Sequence, residues 1–439
     1  MDRYWPMQAV KSEDVDVRML YKVLAAAAMG NFVEWFDFAI YGYLAITLSK
    51  LFFAGESAST ALIKVFAVFA VAFALRPIGA IIFGIYGDRV GRKRALVISI
   101  LLMASSTTVI GLLPTYDKIG IIAPLLLGLV RCLQGLSAGG EYAGACTYVM
   151  EHAPSMQRGK FGSYIPVSTF ASFAFAAIFV FFISQVLSHA QMLSWGWRIP
   201  FLMAAPLGLI GLYIRLNLNE TPAFRALETE HQQAHAPLRD ALRTQGRRIL
   251  QLGAFISLTA LAFYTFTTYF TTYMQVEGHL TRTDALFVTV VAMIFAAIAC
   301  PFFGYFIDFV GRRKSIITAA LLLIFLIYPS LYLTHYRSVS VAIIGIILLA
   351  LSAVLANVIT AVLLAETFPT RVRYTASALT YNVAYALFGG TAPLIATWLI
   401  SITGNTISPM FYIIAIALLG LVGGVMLPET SRISLHQKV

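Results

Sequence analysis

Twelve apolar runs, each close to the ~20 residues that cross the hydrocarbon core of a bilayer, dominate this chain. They fall at roughly 20–48, 58–87, 95–114, 121–152, 159–187, 196–216, 248–275, 284–307, 315–334, 339–366, 374–402 and 408–427. Charged residues make up only 12% of the sequence and hydrophobic residues 59%. A soluble domain carries about 25% charged residues, because its surface must be solvated by water. Lipid is therefore the solvent, and the fold class is an all-α membrane protein of twelve transmembrane helices.

The net charge of +11 does not point to nucleic acid. Lys and Arg gather in the N-terminus, at 89–94, 158–160, 215–248, 312–314 and 371–373, and in the tail. The opposite loops hold only Lys50, Lys118, Arg282 and Arg337. By the positive-inside rule both termini are expected in the cytoplasm, with the chain a multi-pass plasma membrane protein of a bacterial inner membrane. The polar stretch Met1 to Asp16 lacks a signal peptide's apolar region and cleavage site. Cys132, Cys146 and Cys300 lie inside apolar runs without metal or redox spacing.

The chain is internally duplicated. Gly84-Ile85-Tyr86-Gly87-Asp88-Arg89-Val90-Gly91-Arg92-Lys93 follows the second run, and Gly304-Tyr305-Phe306-Ile307-Asp308-Phe309-Val310-Gly311-Arg312-Arg313 follows the eighth. Glu151 with Arg158 follows the fourth run, and Glu366 with Arg373 the tenth. Glu220-Thr221-Pro222 follows the sixth, and Pro428-Glu429-Thr430 the twelfth. Three signatures in the same order divide the chain into a cytoplasmic N-terminus (1–19), a six-helix bundle (20–216), a cytoplasmic linker (217–247), a second six-helix bundle (248–427) and a cytoplasmic tail (428–439). Transporters built from repeats place their site at the repeat interface near the midplane.

The two Gly-x-x-x-Asp-x-x-Gly-Arg-Lys/Arg loops resemble the signature of the major facilitator superfamily, as does Arg131-x-x-Gln134-Gly135 in the fourth run. Three narrower motifs resemble its metabolite:proton symporter family, which includes proline/betaine, α-ketoglutarate and citrate carriers. These are Gly30-Asn31-Phe32-Val33-Glu34-Trp35-Phe36-Asp37-Phe38, Gln134-Gly135-Leu136-Ser137-Ala138-Gly139-Gly140-Glu141-Tyr142 and Trp195-Gly196-Trp197-Arg198-Ile199-Pro200. The resemblance implies two pseudo-symmetric bundles that work by alternating access. It also implies a proton gradient as energy source without a cofactor, a monomer, and a small solute and protons as partners within the bilayer.

At the basic helix ends, Asp88, Arg92, Glu151 and Arg158 and their counterparts Asp308, Arg312, Glu366 and Arg373 are candidates for a cytoplasmic gate. Exposed ion pairs contribute only about 0–1 kcal/mol each, which suits contacts broken in every cycle. Gly91 and Gly311 allow a sharp turn there.

Charges inside spans are costly and usually functional. Asp37 lies about 25 Å from the basic end of its run at ~1.5 Å per residue, and Arg131 about 30 Å. Asp37, with Glu34 one turn below it, is expected to pair with Arg131 and to carry the proton. Arg76 and Glu141 lie lower, near the midplane. Arg76 either meets a substrate carboxylate or is locked to Glu141. Arg198, between Trp197 and Pro200, reads as an interfacial anchor. Gly135 with Gly139, and Gly140 with Gly144, allow close helix approach.

Tyr264-Thr265-Phe266-Thr267-Thr268-Tyr269 is polar for a lipid-facing segment. Tyr264 and Thr268 at helical spacing are candidate substrate contacts. Gln134, Asn357, Asn382 and Tyr385 complete the candidate substrate set, with Arg76 and Glu141. The His residues all lie in loops or tails, and no phosphate-binding loop is present, so neither an enzyme nor an ATP-driven pump is indicated. A drug antiporter and a non-transporting sensor rank lower. The expected function is proton-coupled uptake of a small carboxylate-bearing organic acid such as α-ketoglutarate or citrate. A zwitterionic osmolyte such as proline or glycine betaine is the alternative. The osmosensing relatives carry a long helical extension, whereas this chain stops at Val439, so osmotic gating is not expected.

Overall fold

The computed structural model describes residues 17–90, 92–216, 237–369 and 372–431, with side chains over 84–96 outside the description. Its elements are helices. We number the spans α1 (Val17–Tyr43), α2 (Ala58–Ala74 continued by Arg76–Val90) and α3 (Arg92–Leu112). Then come α4 (Ile122–Ser137 continued by Glu141–His152), α5 (Arg158–Gly162 continued by Tyr164–Val186) and α6 (Arg198–Leu202 continued by Ala204–Leu216). The second half holds α7 (Pro237–Tyr264, Thr265–Tyr269 and Phe270–Val276), α8 (Arg282–Val310), α9 (Arg312–Leu333) and α10 (Val339–Glu366). It ends with α11 (Arg373–Ala384, Tyr385–Gly389 and Ala392–Thr403) and α12 (Pro409–Val425).

Among the described residues nine helical runs are long and apolar enough to cross a membrane, and Val97–Leu112 and Pro409–Val425 are shorter apolar helices. The twelfth span is α1, whose apolar character is diluted by Asn31, Glu34 and Asp37. Large apolar side chains such as Leu125, Phe182, Phe302 and Phe325 remain exposed around the bundle. A soluble protein would bury a belt of that kind, whereas lipid covers it. The linker expected over 217–247 is shorter at its C-terminal end, because α7 already starts at Pro237. Proline is preorganised for the first helical position, and Arg239, Arg243 and Arg247 then follow at one-turn spacing on polar turns.

Spans pack antiparallel within each half, and the halves meet along α5 against α8, α2 against α11, α1 against α7 and α4 against α10. The α5–α8 contact is the most extensive in the molecule. We call the side carrying the 158–160 and 312–314 turns the basic face, and the other the far face. Gly311, at φ 93°, makes the tight α8–α9 turn, a conformation that costs an L side chain energy.

The α2–α4 crossing is backbone against backbone. A Cβ on Gly135 would stand 1.9 Å from the Ala72 carbonyl oxygen, and one on Gly79 would stand 1.9 Å from that of Leu136. Gly139 meets Ala80 in the same way. This contact holds Arg76 on α2 close to α4. Gly135→Ala must separate the two helices, and overpacking of this kind costs about 1–3 kcal/mol. Thermal unfolding followed by tryptophan fluorescence in detergent should show the lowered midpoint, with a smaller loss for the open position Gly128→Ala.

Candidate functional site

The site grows from α1. Successive residues on a helix are turned by about 100°, so Asn31, Trp35 and Phe38 line one face. Asn31 donates to Ser168 Oγ (2.8 Å) and Thr169 Oγ1 (2.7 Å) on α5, and its Oδ1 accepts from Trp35 Nε1 at 2.8 Å. The Trp35 indole is thereby fixed at the midplane. Rings from both halves surround it: Phe263 at 5.1 Å, Tyr142 at 6.2 Å, Tyr264 at 6.3 Å and Tyr385 at 6.4 Å between centroids. Tyr385 stacks on Tyr381 at 4.0 Å, and Tyr381 stacks on Tyr142 at 4.6 Å.

Arg76 enters this box from α2. Its guanidinium lies 5.6 Å from the Trp35 ring, 5.2 Å from Phe38 and 5.1 Å from Phe73. Nη2 donates to Glu34 Oε1 at 2.8 Å and to the Ala138 carbonyl at 3.3 Å. The side chain is fully buried, yet its Nε and Nη1 have no hydrogen-bond partner in the protein. The buried hydroxyl of Tyr264 is also without one, whereas that of Tyr142 faces Cys146 and that of Tyr381 faces Tyr385. Buried polar groups are normally satisfied, so the unused Arg76 donors make this a candidate site for a polar solute.

The sequence reading of these charges needs three corrections. Glu34 pairs with Arg76 rather than sharing the Asp37–Arg131 layer. Three residues along a helix leave side chains about 60° apart in direction, enough to send Glu34 toward α2 and Asp37 toward α3. Arg76 takes Glu34 rather than Glu141, which is half-buried at the first residue of the second α4 segment. The direct Asp37–Arg131 ion pair is absent among the described residues. Arg131 instead donates to Gln134 Oε1 at 2.8 Å, and Gln134 Nε2 donates to Thr107 Oγ1. The Asp37 carboxylate faces that same Thr107 hydroxyl and feels Arg131 through space. Arg131 lies over Tyr41 at 4.1 Å, and Phe38 is shared between the Arg131 and Arg76 guanidinium groups.

The other candidates divide. Tyr264 lies in the box, and Gly389 packs against its ring. Thr268 instead faces Gly42 of α1, where a Cβ would stand 2.5 Å away. Gln134 belongs to the Arg131 network. Tyr385 donates to Asn357 Oδ1 at 3.3 Å. Asn382 crosses the half boundary to the Gly139 carbonyl, and Tyr374 does likewise to Gly140 at 3.0 Å. Arg198 lies over Trp197 at 4.4 Å and donates to the Leu113 carbonyl at 3.1 Å near the far face. Trp35, Phe38, Phe73, Tyr142, Phe263 and Tyr381 were not singled out from the sequence. Trp35 and Tyr142 stood inside quoted motifs, and aromatic spacing on α1 was the available signal.

At the basic face the candidate gate residues connect the halves crosswise. Arg158 Nη1 reaches Glu366 at 3.3 Å, and Arg373 Nη1 reaches Glu151 at 2.9 Å. Asp308 accepts from the backbone N–H groups of Gly159 (2.8 Å) and Lys160 (2.9 Å), an anion at the start of α5. Arg312 bonds Glu366 twice, at 3.0 and 2.9 Å, and Asp308 once at 2.9 Å. Thr430 of the tail adds a bond to Glu366 at 2.6 Å, and Glu429 accepts from the N–H groups of Arg312 and Arg313. The side chains of Asp88 and Arg92 lie outside the described residues. These contacts are not the exposed pairs the sequence suggested: Arg158, Arg312 and Glu366 are buried. Beside them α5 and α8 touch backbone to backbone at Gly159 and Gly304.

The fold and these contacts agree with what known proteins share with this chain. The profile of the Major Facilitator Superfamily matches residues 27–393, with a second match over 277–437. The proline/betaine transporter of Escherichia coli (strain K12) is 36% identical over 430 residues, covering 95% of this chain and 85% of that one. A putative proline/betaine transporter of Staphylococcus aureus (strain MSSA476) is 39% identical over 418 residues, covering 92% of this chain and 88% of that one. The glycine betaine/proline/ectoine/pipecolic acid transporter OusA of Dickeya dadantii (strain 3937) is 35% identical, covering 95% of this chain and 85% of that one. Among solved structures, the proton:xylose symporter XylE superposes with a TM-score of 0.72 at 18% identity, covering 94% of this chain and 96% of that one. At that identity the match speaks to the fold. With the family profile spanning most of its length, this chain belongs to the major facilitator superfamily and is a membrane transporter, not an enzyme.

Proposed function

We propose that this protein is a proton-coupled symporter of a small zwitterion of the glycine betaine or proline type, bound where Arg76 meets the aromatic box. The observation that carries this reading is the pair of unused Arg76 donors, Nε and Nη1, inside a ring of aromatic faces. The two nitrogens lie on different edges of the guanidinium, and each offers one charge-assisted hydrogen bond to a solute carboxylate. The Trp35, Tyr264 and Tyr385 rings offer π-faces to a quaternary or secondary ammonium, an interaction worth about 2 kcal/mol when desolvated. Glu34 already balances the Arg76 charge, so the site is neutral and suits a solute of no net charge. Citrate or α-ketoglutarate brings at least two carboxylates, and the next guanidinium, Arg131, lies a layer away over Tyr41 and bonded to Gln134. The relatives named above point the same way, so the organic acid first expected gives way to the zwitterion.

In this reading the proton is carried by Asp37. It is buried, faces Thr107 and is not tied to Arg131 by an ion pair. Phe38, wedged between both guanidinium groups, links the proton layer to the solute layer. The basic face is the cytoplasmic one, with both termini there. The crossed ion pairs hold it shut in this conformation. The protein acts as a monomer in the plasma membrane and needs no cofactor beyond the proton gradient.

Proteoliposomes with an imposed pH gradient should accumulate labelled glycine betaine and proline. Accumulation of α-ketoglutarate or citrate without either zwitterion would overturn the assignment. Trp35→Ala should raise the KM for betaine about tenfold, the equivalent of ~1.4 kcal/mol of lost cation contact. Asp37→Asn should abolish gradient-driven accumulation while solute exchange persists in counterflow assays. If Asp37→Asn still concentrates solute against its gradient, the proton role belongs elsewhere.

Glu366→Gln removes the carboxylate that Arg158 and Arg312 share, while Arg312 keeps Asp308, a loss of about 3–5 kcal/mol from the closed arrangement. With Cys132, Cys146 and Cys300 replaced by Ala, a cysteine introduced by Asn382→Cys should then react much faster with maleimide. An unchanged labelling rate would remove Glu366 from the gate.

A further inference from the structure

On the far face, a cavity of about 620 Å³ opens between the two halves. Its mouth carries exposed Lys50 and Glu56, and its floor is buried Leu62, Tyr269 and Tyr273. The walls come from Ala45–Phe52, the start of α2, the end of α7 and the far end of α11. The lining brings opposite charges from opposite halves. Glu56 is taken by Lys64, whereas Lys50 has no ion pair among the described residues. Across the cavity, half-buried Glu277 ends α7. Its carboxylate acts electrostatically on the hydroxyls of both Tyr269 and Tyr273. Those two rings lie 6.0 Å apart, and Tyr273 is fixed by donating to the Thr406 carbonyl at 3.1 Å.

An aromatic plug separates this cavity from the central box. Phe66 packs on Tyr269 at 6.3 Å between centroids, and Phe69 on Tyr264 at 5.6 Å, with both phenylalanines fully buried. The backbone at Gly42 is closed against Thr268, and that at Gly390 against Phe73. A solute arriving from the far side meets this cavity first and can go no deeper in this conformation. The cavity repeats, at a wetter site, the chemistry of the box: a cation for a carboxylate, and an anion with aromatic faces for an ammonium.

We propose that the far-face cavity is a second zwitterion subsite, with Lys50 binding the carboxylate and Glu277 with the Tyr269 and Tyr273 rings binding the ammonium, where solute waits while the plug is closed. This rests on the reading of the cargo as a zwitterion. A waiting site acts on capture rather than on the conformational cycle, so its loss falls on KM and leaves kcat in place. His279 and His335 stand near Glu277, so all variants are compared at one pH.

The test is equilibrium binding of radiolabelled glycine betaine to the full chain in lipid nanodiscs, joined with uptake kinetics. The wild type should bind two molecules per chain. Lys50→Gln and Glu277→Gln should each bind one, with KM raised about tenfold and kcat within about twofold. Lys50→Arg and Glu277→Asp should restore most of the wild-type KM, which separates charge from folding. Trp35→Ala should weaken one of the two sites about tenfold and leave the affinity of the far-face site unchanged. A single site in the wild type, with unchanged KM in Lys50→Gln and Glu277→Gln, overturns the subsite and leaves the central site standing. Absence of any betaine or proline binding and uptake by the wild type overturns the cargo assignment, and the subsite with it.

Discussion

A guanidinium at the middle of a bilayer is tolerated only where its charge is answered, and the architecture is arranged around that demand at Arg76. Glu34 answers it directly, and three aromatic faces cover the rest of the cation. Bringing Glu34 and Arg76 together requires α1, α2 and α4 to meet closely, which the backbone contact at Gly79, Gly135 and Gly139 permits. Without that crossing the pair would stand in a looser, wetter space, and the two free donors would be spent on water. The same pair leaves the proposed solute site without net charge, which on the reading above disfavours a charged solute.

The duplicated sequence is used in two different ways. At the basic face the repeat is obeyed: Arg158 of the first half reaches Glu366 of the second, and Arg373 of the second reaches Glu151 of the first. Each half supplies an arginine to a glutamate of the other, and Arg312 adds a second partner for Glu366 from within its own half. At the midplane the repeat is broken. Buried ionic groups come from α1, α2 and α4, while the second half supplies Tyr264, Tyr381, Tyr385 and Asn357. Charge and shape are thus assigned to different bundles, and the site exists only when the bundles close on each other.

The spans were legible in the sequence because hydrophobicity over some twenty residues is a strong signal, and charged loops interrupt it. The gate positions were legible because the duplication repeats them. What could not be read was direction. Glu34 and Asp37 are one turn apart, and the sequence says nothing of which neighbour each one faces. Thr107, which stands between Asp37 and Gln134, comes from a span that offered no motif. Trp35 and Tyr142 were in plain view as letters, yet their role depends on rings brought in from α7 and α11. The start of α7 at Pro237 was missed because its first turns are polar and basic, a pattern that a hydropathy reading gives to a loop.

One element of α7 bears on this last difficulty. Between Thr265 and Tyr269 the helix passes through a π-helical turn, and α11 does the same between Tyr385 and Gly389. Such a turn takes in one residue more than an α-turn, so every side chain beyond it is rotated out of phase with those before it. Counting by threes and fours from Tyr264 puts Thr268 on the same face, and it meets Gly42 of α1 two turns beyond Trp35. The inserted residue shifts the phase of the side chains that follow. One continuous span can therefore point Tyr264 inward to the midplane box and Tyr269 and Tyr273 to the far-face cavity, facing two compartments without a break in its axis.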